Sequence, residues 1–242
     1  MNNTSIEWKR LITEGFVIVV SILLAFAIDA WWDERQQIRD AEDQVARVVA
    51  ELRANVELLE EQDRSLAAAT SEAGKFLNLF GPEPVPTELV EIAALLEGIY
   101  SVPTYSVERS ASANFLSSGQ LTEGRWAEFR TSLATTLSTA STAENASLEL
   151  RQMRPEIANR MQMYVSGLDV VLAHPLMKDY QPSRFTSNTH ALLSDLQLEG
   201  LISNYTIRME INHLYVHDLL QSYESLIADA DEANAGHSKE AH

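Results

Sequence analysis

Residues 15–36 read GFVIVVSILLAFAIDAWWDERQ, and this stretch decides how the rest of the chain is interpreted. No charged residue occurs from Gly15 to Ile28, and this run is bracketed by Glu14 and Asp29. As an α-helix, residues 11–32 extend about 33 Å, which is enough to cross a hydrocarbon core of roughly 30 Å. Two tryptophans follow the apolar run, as in an aromatic belt at a membrane surface. The sequence therefore predicts a transmembrane helix over residues 11–32.

Two other interpretations of this stretch compete with a membrane span. A cleaved signal peptide is compatible with the basic pair at 9–10 and with the small-x-small pattern at 25–27. Glu14 interrupts its apolar region early, however, and no turn residue follows the pattern. A buried helix of a soluble protein would rarely be apolar on every face and then end in two tryptophans. An uncleaved anchor fits the sequence best.

The orientation of the span is a weaker inference, because basic residues lie on both sides of it. Short N-terminal tails usually stay in the cytoplasm, so residues 1–10 are predicted to be a cytoplasmic tail. The remaining chain would then lie in the periplasm, beyond a bacterial inner membrane that the protein crosses once.

Charge and composition limit the partners and the chemistry. Of the net charge of −17, the first 32 residues carry −1, from Glu7, Glu14 and Asp29 against Lys9 and Arg10, which leaves −16 for the body. Such a body repels the phosphates of nucleic acids and of anionic lipid surfaces, so no nucleic-acid partner is expected. The absence of cysteine excludes disulfides, thiolate metal ligands and cysteine nucleophiles.

The segment 33–80 is predicted to be a stalk helix that continues from the span. Its apolar residues recur mostly at intervals of three, four and seven, which gives one apolar stripe on an otherwise charged helix. Such a stripe needs a partner, either another segment of this chain or another copy of it. The prolines and glycine of GPEPVP at 81–86 end the helix.

Residues 81–234 are predicted to form an antiparallel helical bundle, and no strand pattern of any length is found. Helices are expected over 87–100, 106–119, 122–173, 187–199 and 202–233, with Pro155 kinking or dividing the third. The tail, 235–242, is predicted to be disordered. The predicted fold class is all-α, with a transmembrane helix, a long stalk helix and a bundle.

Four residues at the membrane edges are candidates for membrane positioning and assembly: Glu14, Asp29, Trp31 and Trp32. The acids have two interpretations. They are interfacial carboxylates, with Glu14 favoured by the helix dipole, or they form a ring in an oligomeric pore or proton path. Their position at the ends of the span favours the first interpretation.

The best metal-like pattern is Glu210-x-x-His213-x-x-x-His217, which places three ligand types near one face of a helix. A di-iron bundle would need a second Glu-x-x-His and two further glutamates, and no second copy of the motif occurs. An exposed polar helix face is the favoured interpretation. No phosphate loop, dinucleotide fingerprint or nucleophile elbow is present. The sequence thus predicts no catalytic residue, no metal and no cofactor, and a protein that is not an enzyme.

Three segments together resemble a family of uncharacterised bacterial single-span membrane proteins. They are TEGFVIVVSILLAFAIDAWWDERQ (13–36), TYSVERSASANFLSSGQLTEGRWAEFRTSL (104–133) and LLSDLQLEGLISNYTIRMEI (192–211). In the middle segment the matching residues are Tyr105, Phe115, Ser118, Gly119, Leu121, Phe129 and Arg130. The family usually has asparagine before the tryptophan, whereas this chain has Asp29 and Ala30. The resemblance implies an anchored, mostly helical protein and no catalytic residue.

These observations predict a non-enzymatic, membrane-anchored helical protein. It would contact membrane lipid and either form a homo-oligomer, through the span and a coiled-coil stalk, or serve as an accessory or scaffold subunit of a larger inner-membrane complex. The alternative is a sensory bundle outside the cytoplasm that binds a small ligand and signals through a partner.

Overall fold

A computed structural model describes residues 4–118, 126–172, 181 and 183–240. Within these ranges the regular secondary structure consists of seven helices and no strand, which confirms the all-α prediction. The helices are α1 (Thr4–Leu77), α2 (Leu89–Tyr100), α3 (Ser110–Ser117), α4 (Ala127–Met161), α5 (Gly167–Leu172), α6 (Thr189–Leu193) and α7 (Leu196–Glu240).

The first helix, α1, joins the apolar segment to the body without a break. It contains 74 residues, about 110 Å at 1.5 Å per residue. No proline occurs in it, and neither Gly15 nor Gly74 ends it. The predicted continuation of the apolar segment into a long helix is confirmed.

The core lies between α1, α4, α7 and an arm made of α2, residues 101–109 and α3. Buried residues of α1 alternate at intervals of four and three, and α7 repeats this pattern from Leu198 to Ala230. This is the spacing of a coiled-coil seam. In α1 the positions of this alternation are Ala41, Val45, Val48, Leu52, Asn55, Leu59, Gln62, Leu66, Ala69, Ala73 and Phe76, and Val49 and Glu51 are buried beside it.

Neighbouring helices in the chain run in opposite directions. Two contacts for each pair fix this: Arg53–Asp231 (2.9 Å) and Asp63–His213 (3.0 Å) between α1 and α7, Glu149–Arg208 (2.7 Å) and Arg154–Tyr205 (3.2 Å) between α4 and α7, and Asn55–Glu108 (2.8 Å) and Gln62–Pro103 (3.1 Å) between α1 and the arm. The bundle is therefore up-down-up-down. We call the end near Ala41 the proximal end and the end near Gly81 the distal end.

Most of the predicted stalk belongs to this core. Residues from Ala41 to Phe76 supply one side of the bundle, whereas the described side chains of residues 12 and 14–40 are all exposed. The partner that the stripe requires is thus, over this length, another part of the same chain. Only residues 33–40 form a free helix between the apolar segment and the body.

Several predicted boundaries differ from the structure. The helix α4 continues through Pro155. The helix α7 continues through Gly200, and the break before it lies at Ser194 and Asp195. The helix α7 also extends to Glu240, beyond residue 233, where the last helix is predicted to end. Ala235 and Glu240 in this segment are good helix formers, and no proline interrupts it.

Asp195 joins two helices at the distal end. Its carboxylate accepts hydrogen bonds from the backbone N–H groups of Gln197 (2.9 Å) and Leu198 (3.4 Å) and so caps α7. Arg160, in the last turn of α4, donates to both of its oxygens. These hydrogen bonds, first of all that from Arg160, lower the pKa of Asp195 from 3.8 to about 2 despite burial.

We expect acid to weaken this contact in a defined range. Because folding lowers the pKa of Asp195 from 3.8 to about 2, its contribution to stability is complete above pH 3.8 and is lost as the pH falls towards 2. Asp195→Asn, which keeps the cap, should cost about 1–2 kcal/mol at pH 7. The cost should shrink between pH 4 and pH 2. Circular dichroism melts across this range measure both effects.

Asp43→Asn, at an exposed position of α1, is the control. An equal loss of stability for Asp195→Asn at pH 7 and at pH 2 would contradict the assigned role of the ion pair.

Candidate functional site

The apolar part of α1 has the most distinctive surface in the described chain. It is the one described helix that is long and apolar enough to span a membrane, and its apolar window is entirely exposed. Large side chains point outward on every side, with exposed fractions from 44% at Val20 to 68% at Phe16. The hydroxyl of Ser21, the one polar side chain within the run, donates to the carbonyl of Val17 at 2.8 Å. Such a surface requires an apolar environment or apolar partners.

The predicted membrane-edge residues lie at the two ends of this surface. Glu14 is exposed at the N-terminal end, and Asp29 is exposed at the other end. Trp31 and Trp32 are about half exposed, with their ring centroids 6.2 Å apart. Since consecutive residues are separated by about 100° around a helix, the two rings together cover a broad sector at one depth.

Two arginines lie over these tryptophans, Arg35 one helical turn beyond Trp31 and Arg39 two turns beyond Trp32. The guanidinium carbon of Arg35 lies 5.1 Å from the ring centroid of Trp31, and that of Arg39 lies 5.7 Å from the ring centroid of Trp32. In the first pair the residues are at positions i and i+4, and in the second at i and i+7, so both are cation–π contacts along one side of the helix. The arrangement combines rings that prefer the membrane interface with cations that can reach phosphate groups.

The candidate metal ligands occupy the contact between α7 and α1. His213 Nε2 lies 3.0 Å from Asp63 Oδ1, and His217 Nδ1 lies 4.0 Å from the same oxygen. Glu210 is exposed. In the described chain, no three histidine, cysteine, aspartate or glutamate residues are arranged to hold a metal ion. The two histidines are therefore part of an interhelical contact, whose partner Asp63 sequence reasoning missed.

The arm contains a non-helical stretch, residues 101–109, packed against two long helices. The sequence disfavours helix at Val102 because Pro103 follows it. Backbone groups that have no helical hydrogen bond in this stretch are paired with side chains of α1 and α4. Asn55 of α1 donates to the carbonyl of Glu108 at 2.8 Å and accepts from its N–H at 2.9 Å. On the other side, Glu144 of α4 accepts from the N–H of Val107 at 2.7 Å.

The N-terminus of α3 is capped by a side chain from a different helix. One carboxylate oxygen of Glu51 accepts from the N–H of Ala111 at 2.6 Å, and the other accepts from the N–H of Ser112 at 3.0 Å. The hydroxyl of Ser112 donates to Glu51 as well, at 2.5 Å. Glu51 is only 8% exposed. Its charge is balanced by the positive end of the helix dipole and by these donors.

Sequence reasoning missed these polar groups because it followed apolar residues only. Asn55 and Gln62 occupy seam positions of α1, between Leu52, Leu59 and Leu66. Continuing the three-four alternation without regard to residue type would have found both. Glu51 lies beside Leu52 rather than on the seam, and no spacing rule links it to α3.

A second, half-buried polar cluster lies around Glu144. Arg109 pairs with Glu144 and donates to Ser141 at 3.0 Å. Within the described chain, the hydroxyls of Tyr105 and Tyr223 and the Nε of Arg109 are buried without a hydrogen-bond partner. Burial raises the pKa of both tyrosines far above 10, and the charge of Glu144 adds to the effect, so both hydroxyls stay protonated.

The outer face of α7 carries a short exposed apolar stripe. Ile207, Ile211 and Leu214 follow one another at intervals of four and three, and their exposed fractions are 42–62%. Beside them, the groove between α4 and α7 is lined by Glu149, Arg208 and other residues. A three-residue stripe is small, but its regular spacing makes it a continuous surface.

Comparisons with known proteins assign no relative to this arrangement: no protein-family model matches the sequence, and neither the curated proteins nor the solved structures contain a significant match. The family resemblance seen in the sequence therefore stays a prediction.

We expect Glu51 to be a strong determinant of stability. Glu51→Ala would leave the donors of Ala111 and Ser112 buried without an acceptor, at a cost of about 3 kcal/mol. The melting temperature of the full chain in detergent should fall by roughly 6–12 °C, as circular dichroism would measure.

Glu61→Ala is the matched control, since Glu61 is exposed and pairs with Arg64, three residues away on the same helix. It should change stability by about 0.5 kcal/mol or less. Equal effects of the two substitutions would contradict the role assigned to Glu51.

Proposed function

We propose that this chain is a non-enzymatic protein of a bacterial inner membrane, anchored by one span, whose helical body self-associates or serves as an accessory or scaffold subunit of a larger membrane complex. One observation carries the proposal. The apolar residues 15–28 are exposed on every side of a helix whose continuation, from Ala41 to Phe76, forms the core of the body.

Physical chemistry favours a bilayer as the environment of this segment. Burying a single large apolar side chain contributes about 1.5–3 kcal/mol, and Phe16, Leu23 and Phe26 are among many that remain exposed. A helix satisfies its own backbone hydrogen bonds, as a hydrocarbon environment requires. The tryptophan and arginine pairs at residues 31–39 suit the adjoining interface.

The proposed topology places residues 1–10 in the cytoplasm and the body in the periplasm. The short N-terminal tail favours this orientation. The body, with a charge of −16, is repelled by anionic lipid, so it would stand away from the bilayer on the free part of α1.

The buried and half-buried charged groups of the body support a structural rather than a catalytic role. Glu51 caps α3, Asp195 caps α7, and Glu144 holds both Arg109 and the backbone of the arm. Each has its hydrogen bonds committed to the fold. Contacts with other subunits would instead use the exposed span and the apolar stripe at 207–214.

A second candidate function is the binding of a small polar ligand inside the bundle, with a partner carrying the signal. The unpaired hydroxyls of Tyr105 and Tyr223 and the unpaired Nε of Arg109 favour it, because buried polar atoms usually have partners. A ligand that raises the melting temperature of the native chain but not that of Tyr223→Phe would support this candidate.

We expect membrane binding to reside in the apolar segment of α1 and folding to reside in the body from residue 41 onward. The fragment from residue 41 onward keeps the whole buried core, so it should be helical and soluble without detergent. The full chain should sediment with membranes and resist extraction by carbonate at high pH. Replacing Leu23 and Leu24 with arginine should release the full chain, because each central arginine costs about 2.5–3.5 kcal/mol in a span.

Replacing the polar residues Gln36 and Gln37 with arginine is the control and should leave the chain in the membrane fraction. A full chain that is soluble without detergent would overturn the proposal.

A further inference from the structure

We infer that a cleft between α1 and α3 binds a small zwitterion of the α-amino acid class. We call it the α1–α3 cleft. The residues that line it are Gln44, Arg47, Ser110, Ala111, Asn114, Phe115 and Ser118. The inference goes beyond the proposed function and does not depend on the membrane assignment, because every lining residue belongs to the body.

A row of polar residues on α1 leads to this cleft. Glu51, Asn55 and Gln62 follow one another at intervals of four and seven on one side of the helix, and each forms hydrogen bonds with the backbone of the arm. Gln44 lies seven residues before Glu51 and continues the row towards the proximal end. Its Oε1 is buried but has no hydrogen-bond partner in the described chain. Since buried polar atoms usually have partners, this oxygen requires an N–H or O–H donor, and the cleft gives a ligand access to it.

A second polar side chain of the cleft is free of structural contacts. Arg47, one helical turn from Gln44, is exposed and forms no ion pair or hydrogen bond within the described ranges. The carbonyls at the end of α3, which a nearby arginine can cap, already have a donor, because Arg130 donates to Phe115 at 3.2 Å. The guanidinium of Arg47 is therefore available to an acceptor from outside the chain.

The charge of the cleft and the charge of the body together define the class of ligand. Arg47 is the one charged residue among those that line the cleft in the described chain, so the cleft favours a carboxylate. The Oε1 of Gln44 favours a donor such as an ammonium group. The net charge of −16 on the body, however, repels a simple anion. A zwitterion meets all three conditions, because it offers a carboxylate and an ammonium group at a net charge of zero.

The size of the cleft and the spacing of its polar groups agree with a single amino acid. The cleft has a volume of about 360 Å³, which is inside the range of about 300–1,000 Å³ usual for sites of small molecules. Gln44 and Arg47 are at positions i and i+3, so their Cβ atoms lie about 5–6 Å apart. The ammonium and carboxylate groups of an α-amino acid are bonded to one carbon, so both groups are within reach of one helical turn. The side-chain amide of Asn114 adds a donor for the carboxylate on the α3 side.

Isothermal titration calorimetry on the full chain in mild detergent tests the inference. Glycine, L-serine and L-glutamine are zwitterionic probes of increasing size, whereas acetate and ethylammonium carry one charge each. Arg47→Gln removes the cation of the cleft, and Gln44→Leu removes its buried acceptor. Arg64→Gln is the matched control, because Arg64 is an exposed arginine of the same helix that does not line the cleft. Circular dichroism melts of every variant check the fold.

We expect at least one of the three zwitterions to bind with a dissociation constant below about 1 mM. It should bind at least about ten times more tightly than acetate or ethylammonium, because it forms charged hydrogen bonds at both ends. Arg47→Gln and Gln44→Leu should each weaken this binding at least about tenfold without lowering the melting temperature. Arg64→Gln should leave the binding unchanged.

Equal binding by the native chain and by Arg47→Gln would overturn the inference. Acetate that binds as tightly as the zwitterions would overturn it as well, and so would the absence of binding by all three zwitterions at about 10 mM. These failures are distinguishable from a failure of the proposed function, which membrane fractionation of the full chain tests.

Discussion

The rest of the structure depends on the fact that a single helix, α1, must satisfy two environments. Residues 15–28 are apolar on every side, while residues 41–76 are apolar on one stripe and charged elsewhere. The first pattern suits a hydrocarbon solvent, and the second suits the edge of a water-exposed bundle. Since nothing breaks the helix between them, a displacement or rotation of the span is carried directly into the core. The body is thus built around the same helix that carries the exposed apolar segment.

The polar groups inside the bundle give it a unique arrangement that apolar residues alone would not specify. A continuous four-helix bundle would have helix where this chain has residues 101–109. Asn55, Gln62 and Glu144 replace the missing helical hydrogen bonds, and Glu51 completes the cap of α3. A register shift of α1 by one turn would leave Glu51, Asn55 and Gln62 without their partners, at a cost of about 1–3 kcal/mol each. The arm therefore fixes which layer of α1 meets which layer of its neighbours.

The fold is more predictable from the sequence than the site. Periodicity identifies the helices and the bundle, because a buried stripe imposes a regular spacing. The sequence predicts the break before the last helix near Gly200, whereas the structure has it at Asp195. A glycine within a helix costs only about 1 kcal/mol, which packing can offset, so Gly200 does not end the helix. Periodicity also assigns residues 41–76 to a stalk. An apolar stripe shows that a helix needs a partner, but not whether that partner is another segment of the chain or another copy of it. The capping of α3 by Glu51 joins residues 60 positions apart, and no local pattern encodes it.

The central claim is that an exposed apolar helix, continuous with the core of the body, makes this chain part of a membrane assembly. The most direct test is the mass of the intact complex extracted from its native membrane in mild detergent. The account predicts either a whole-number multiple, greater than one, of the 27.0 kDa chain or a larger mass that includes other subunits. A single chain of 27.0 kDa, surrounded only by detergent and lipid, would contradict it.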